Sequence, residues 1–133
     1  MAAAHLASGL IDTDILIDGT HGLPDAISFL ASQQAAGGLN ISIVSAMELI
    51  QGCRNKAELS QTKALLNRIN VIPVSSATSL TACQLMENFF LGHGLVIPDA
   101  LIAATAIEQG LTLYSKNIRH YRMIANLPVI RPY

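Results

Sequence analysis

The chain has 133 residues, 51% hydrophobic and only 13% charged, with a formal net charge of −1. That length suits one domain, 1–133, with a sizeable core, and the apolar content excludes a disordered chain. So neutral a balance excludes a global basic field that would draw the protein onto nucleic acid.

Residues 8–12 read as a short apolar strand ending at Asp12, followed over 13–19 by a short helix that Thr13 or Asp14 can cap. Pro24 opens a second helix to about Ala36, stopped by Gly37-Gly38. Ile41-Ser42-Ile43-Val44 predicts a strand, and Ser45 with Glu48 three residues on predicts a capping box for the next helix. Lys56 to Asn70 is amphipathic, with Leu59, Leu65, Leu66 and Ile69 along one side. Val71-Ile72 predicts a strand that Pro73 confines to an edge or an end. Long helices follow over 76–91 and 98–109, closed by Gly92-His93-Gly94 and by Gly110. Leu111–Tyr114 predicts a strand, Asn117–Ile124 a short helix and Pro128–Ile130 a last strand. Strands alternating with helices indicate a parallel sheet covered on both faces.

With no Trp, three Tyr and three Phe, the core must be aliphatic, and that richness also fits a buried oligomer face. Cys53 and Cys83 lack C-x-x-C spacing and are read as small core hydrophobes of a reduced, cytoplasmic protein. No apolar stretch is long enough to span a membrane, and the Ala-rich start lacks the basic segment of a signal peptide.

Three acids stand at the lips of apolar runs: Asp12 in Gly-Leu-Ile-Asp-Thr-Asp, Glu48 in Ser-Ala-Met-Glu-Leu and Asp99 in Ile-Pro-Asp-Ala-Leu. Acids set against hydrophobic segments incur a desolvation cost, and a hard divalent cation is a partner that turns their mutual repulsion into attraction. In an open parallel sheet, ligands gather outside the carboxyl ends of the strands, where Asp12, Glu48, Asp99 and Asn117 are expected to meet. Each acid alone has a bland role: Asp12 as a helix cap, Glu48 in the capping box, Asp99 beside a helix N-terminus. Three independent caps at one end of one sheet are the weaker explanation, so the residues predict a Mg²⁺- or Mn²⁺-dependent enzyme. Asp14 is either a further ligand or a solvated first-turn acid. Asn117 is a neutral ligand or a cap. Ser115 can hydrogen-bond a carboxylate or close its strand. His5, His21 and His93 have no partner that makes them ligands, and the histidines lack zinc-site spacing. Acids crowd the first quarter (Asp12, Asp14, Asp18, Asp25) and bases the last (Lys116, Arg119, Arg122, Arg131), which reads as surface variation or as an acidic pocket beside a basic rim.

Leu-Ile-Asp-Thr-Asp-Ile-Leu-Ile-Asp, Ile-Ser-Ile-Val-Ser-Ala-Met-Glu-Leu-Ile-Gln-Gly, Ile-Pro-Asp-Ala-Leu-Ile-Ala-Ala-Thr-Ala and Leu-Tyr-Ser-Lys-Asn-Ile-Arg-His-Tyr occur in this order from about residue 9 to the end. Together they resemble the PIN-domain ribonucleases, specifically the VapC toxins of toxin–antitoxin modules. The resemblance implies a three-layer α/β/α sandwich with a central parallel sheet of about five short strands. It makes Asp12, Glu48 and Asp99 the catalytic, metal-binding acids and Asn117 a weaker fourth site, with Asp14 restoring some of the missing charge. Ser115 then steadies Asp12, supported by Thr13, while Lys116, Arg119 and Arg122 contact phosphate. His120 stands where many members carry Asp. The implied activity is Mg²⁺- or Mn²⁺-dependent endonucleolytic cleavage of a tRNA or ribosomal RNA loop by an activated water. The implied partners are that RNA, a cognate antitoxin and a second copy in a homodimer. The alternatives are a catalytically inactive PIN-like module that binds RNA or protein, and a haloacid-dehalogenase-like phosphatase suggested by Ile-Asp-Thr-Asp-Ile.

Overall fold

A computed structural model describes residues 6–133. The Ala-rich start and His5 lie outside the described residues. Five short strands, β1 (Leu10–Ile11), β2 (Asn40–Ser42), β3 (Asn70–Ile72), β4 (Leu113–Tyr114) and β5 (Val129–Ile130), form one sheet in the order β3-β2-β1-β4-β5. Every pairing is parallel. The helices are α1 (Thr13–Thr20), α2 (Pro24–Ala35), α3 (Ile43–Gln51), α4 (Lys56–Leu66), α5 (Ser76–His93) and α6 (Ile97–Gln109).

The three layers follow from the two-residue period of the strands. Leu10 and Leu113 pack into one apolar cluster with Ala82 and Leu85 of α5 and the alanines of α6. Their neighbours Ile11 and Tyr114 face the opposite side, with Ile15 and Leu16 of α1 and Phe29 of α2. A sheet buried on both faces needs apolar residues at consecutive positions, which is what each central strand provides. Pro73 follows β3 at one edge of the sheet, as its missing N–H requires. Gly110 ends α6 at φ +65°, a conformation that favours glycine, and its N–H returns to the last turn.

Several boundaries differ from the sequence reading. The apolar stretch at 41–44 is strand only to Ser42, because the buried Ser42 hydroxyl accepts the Val44 N–H at 3.0 Å and caps α3. Ser45 therefore lies inside the helix, the expected capping box does not form, and Glu48 sits in the second turn. At α1 the cap is Asp12 rather than Thr13 or Asp14. The helix expected over 117–124 shrinks to a 3₁₀ turn, Ile118–His120. Neither cysteine is a core residue: Cys53 is half-buried and Cys83 exposed. Among the described residues no helix is long and apolar enough to cross a membrane.

Candidate active site

Asp12 leaves the end of β1, its N–H bonded to the Tyr114 carbonyl of β4, and immediately caps α1. Its side chain is thereby pinned at the carboxyl edge of the sheet with only 6% of its surface exposed. Oδ1 accepts the Thr13 N–H at 2.8 Å, while Oδ2 accepts hydroxyls from Ser115 at 2.7 Å and Tyr121 at 3.0 Å. Burial, and then the charge of Asp14, push its pKa up from 3.8 to about 6; the three donors pull the other way without prevailing. Burial and the neighbouring Asp14 thus both disfavour the ionised form of Asp12.

Asp99 meets Asp12 from across the sheet. It lies in the first turn of α6 behind Pro98, with Oδ1 3.2 Å from the Tyr121 hydroxyl and Oδ2 3.0 Å from His120 Nδ1. Tyr121 is fully buried and thus connects the two carboxylates through one phenol. Burial and the adjacent carboxylates hold that phenol firmly protonated.

Glu48 approaches through Thr13. The Thr13 hydroxyl stands 2.7 Å from Glu48 Oε1 and 2.8 Å from the Ser45 hydroxyl. With one proton to give, Thr13 shares it between the Glu48 carboxylate and the Ser45 hydroxyl. Adjacent N–H and O–H groups of one residue thus hold Asp12 and Glu48 at the same corner.

Asp14 joins α1 to the segment after β4. Its Oδ2 accepts the Lys116 N–H at 3.0 Å and the Asn117 side-chain amide at 3.2 Å, and burial raises its pKa. Asn117 precedes the 3₁₀ turn but makes no side-chain cap there, leaving its amide for Asp14. Ser115 is buried, accepts the Asn117 N–H at 3.0 Å and directs its own proton to Asp12.

The rim is partly neutralised. Lys116 Nζ pairs with Asp18 Oδ2, which also accepts the Tyr133 hydroxyl at 2.8 Å, so Asp18 is held below the usual carboxylate range. Arg119 and Arg122 are exposed, and Lys116, Arg119, His120 and Arg131 line one open recess beside Asp99.

Asp12, Glu48, Asp99, Asp14, Ser115, Thr13 and Asn117 are therefore joined by one hydrogen-bond network. Among the described residues, however, no three His, Cys, Asp or Glu side chains stand close enough to cage an ion by themselves. The carboxylate oxygens of Asp12 and Asp99 are of the kind Mg²⁺ takes, one or two at a time, with water and phosphate completing its shell. The donors are hard oxygens, and among the described residues no cationic side chain pairs with the buried Asp12. Tyr121 is the site residue that sequence reasoning missed. Spaced three residues from Ile118 and Ile124, it reads as core, and its acid partners lie 109 and 22 residues away.

The PIN domain family profile matches residues 9–125. Ribonuclease VapC10 of Mycobacterium tuberculosis is 36% identical over 119 residues, 89% of each chain. Ribonuclease VapC19 of the same organism is 32% identical over 120 residues, covering 89% of this chain and 95% of that one. A toxin–antitoxin complex from Klebsiella pneumoniae contains a chain that superposes with a TM-score of 0.79 at 30% identity, covering 95% of this chain and 98% of that one. The chain belongs to the PIN domain family and, within it, to the VapC ribonucleases. This sets aside the phosphatase alternative.

Proposed function

We propose that the protein is the toxin of a toxin–antitoxin pair, an endoribonuclease that uses Mg²⁺ or Mn²⁺ to cut a structured RNA such as a tRNA or ribosomal RNA loop. The observation that carries this reading is the buried Asp12 carboxylate, tied through Tyr121 to Asp99 at the carboxyl edge of the sheet, in a chain of this family. Asp12 and Asp99 would hold the cation, with Glu48 and Asp14 adding negative charge and Asn117 a neutral oxygen. The chemistry such a cation supplies is ionisation of a water near neutral pH and neutralisation of charge on the phosphate.

The chain's own groups set up that reaction. Thr13, Ser115 and Tyr121 fix the orientation of Asp12 before substrate arrives, so little reorganisation is left for the reactive complex. Arg119 and Arg122 offer exposed guanidinium groups for phosphate oxygens, and Lys116 joins them only by leaving Asp18.

Two surfaces support the partners. A groove lined by Ile17, His21, Leu49, Arg54 and Leu65 runs up to Glu48 and suits the tail of a cognate antitoxin. Phe90, Leu91, Val96 and Ile97 stand exposed around the α5–α6 turn and suit a second copy in a homodimer. Inducible expression with RNA end-mapping tests the activity. Discrete new RNA ends with wild type and none with Asp99→Asn are expected; ends produced equally by both would overturn the assignment.

A further inference from the structure

The geometry points to Tyr121 as a positioning residue that occupies one oxygen of Asp12, leaves the other for a cation, and ties Asp99 to the same point. The inference rests on the metal-dependent reading above and goes beyond it by assigning a role to a residue outside the acid set.

Each carboxylate oxygen has two lone-pair directions. At Asp12, among the described residues, Oδ2 takes the Ser115 and Tyr121 hydroxyls, whereas Oδ1 takes the Thr13 N–H alone. Among the described residues Oδ2 thus faces two hydroxyls, and Oδ1 keeps one open direction. Among the described residues Asp99 keeps an open direction on each oxygen, since Oδ1 meets only Tyr121 and Oδ2 only His120. The phenol has one proton to share between two acids, so it tethers Asp12 Oδ2 and Asp99 Oδ1 to a common point.

The tether is stiff. The Tyr121 ring is fully buried among the α6 alanines, Ile124 and Leu127, and its N–H bonds to the Ile118 carbonyl at 3.0 Å. The other donor to Oδ2 is equally fixed, because Ser115 accepts the Asn117 N–H while giving its proton to Asp12. A Phe would fill the same core space, so packing alone accounts for the ring and not for the hydroxyl. Groups of this kind orient metal-binding carboxylates, and their loss typically costs tenfold to a hundredfold in metal affinity.

Titration calorimetry of the full chain with Mn²⁺, wild type against Tyr121→Phe, tests this. Wild type is expected to bind, and Tyr121→Phe to bind roughly tenfold to a hundredfold more weakly while remaining folded by circular dichroism. Equal or tighter binding by the variant overturns the role of Tyr121 and leaves the metal reading standing. No binding by wild type overturns the metal reading itself. A purely structural hydroxyl would lower the melting temperature and leave affinity unchanged. Should Tyr121→Phe fail to fold, ring-labelled tyrosine in the wild-type chain decides, with Tyr133→Phe used for assignment. Adding Mg²⁺ should shift the Tyr121 Cζ resonance and leave Tyr114, whose hydroxyl donates to the Ala7 carbonyl, in place. An unmoved Tyr121 signal under saturating Mg²⁺ would overturn the inference.

Discussion

Asp12→Asn should make the metal-free protein more stable at neutral pH while removing its activity. The Asp12 carboxyl titrates at about 6 in the folded chain against 3.8 for the free group, because it is buried and faces Asp14. The folded state therefore binds more protons than the unfolded state between those values, and stability falls as pH rises through that window. Above it the ionised carboxylate costs the fold on the order of 3 kcal/mol. An Asn of nearly equal volume avoids this cost. Its oxygen can take the Thr13 N–H, and its amide can donate to the Tyr121 hydroxyl, which still has Asp99 for its own proton; the buried Ser115 hydroxyl loses its acceptor, which offsets part of the gain. Thermal melts in chelator should place Asp12→Asn above wild type by up to about 10 °C near neutral pH. The gap should close on acidification to about pH 4, where wild type is protonated. Added Mn²⁺ should raise wild type and not the variant. A variant less stable than wild type at neutral pH, or a gap independent of pH, would refute the reasoning.

Other perturbations test separate parts of the account. A Cβ at Gly9 would lie 2.5 Å from the Thr112 carbonyl oxygen and 2.5 Å from Tyr114 Cε2. Gly9→Ala should therefore push β1 from β4 and destabilise by about 1–3 kcal/mol; an unchanged melting temperature would contradict that packing. At most one Mn²⁺ should bind tightly in the absence of RNA, since Asn117 offers only a neutral oxygen beside Asp14. Asn117→Asp should raise Mn²⁺ affinity and Asp14→Asn lower it; two equally tight wild-type sites, indifferent to both changes, would show that neither residue tunes the metal.

The strand–helix alternation and the acid positions were legible because they rest on local signals. Apolar runs ended at Asp12, Pro24 and Pro98 opened α2 and α6, and Gly110 closed α6. The α3 start was not legible: Ile43 and Val44 favour a strand by propensity, and only the buried Ser42 hydroxyl starts the helix earlier. That shift changes the reading of Glu48, whose carboxylate meets Thr13 instead of a helix N-terminus. Lys116 shows a second limit. Read as a free phosphate contact, it is paired with Asp18, a partner 98 positions away that no local pattern announces. Tyr121 is the clearest case, since its ring follows helical apolar spacing and its function lies in a hydroxyl aimed at distant acids. Sequence periodicity reports which face is buried; it does not report where a buried polar tip finds its partner.

The central claim is that Asp12 and Asp99 form a cation-dependent centre for RNA cleavage. Its most direct test incubates purified protein with total cellular RNA, in chelator or with limiting Mg²⁺ or Mn²⁺, and maps the resulting ends for wild type and Asp99→Asn. The account predicts discrete cuts that require the cation and disappear in a folded Asp99→Asn variant. Cuts that persist in chelator, or that the variant makes as fast at limiting cation, would contradict it.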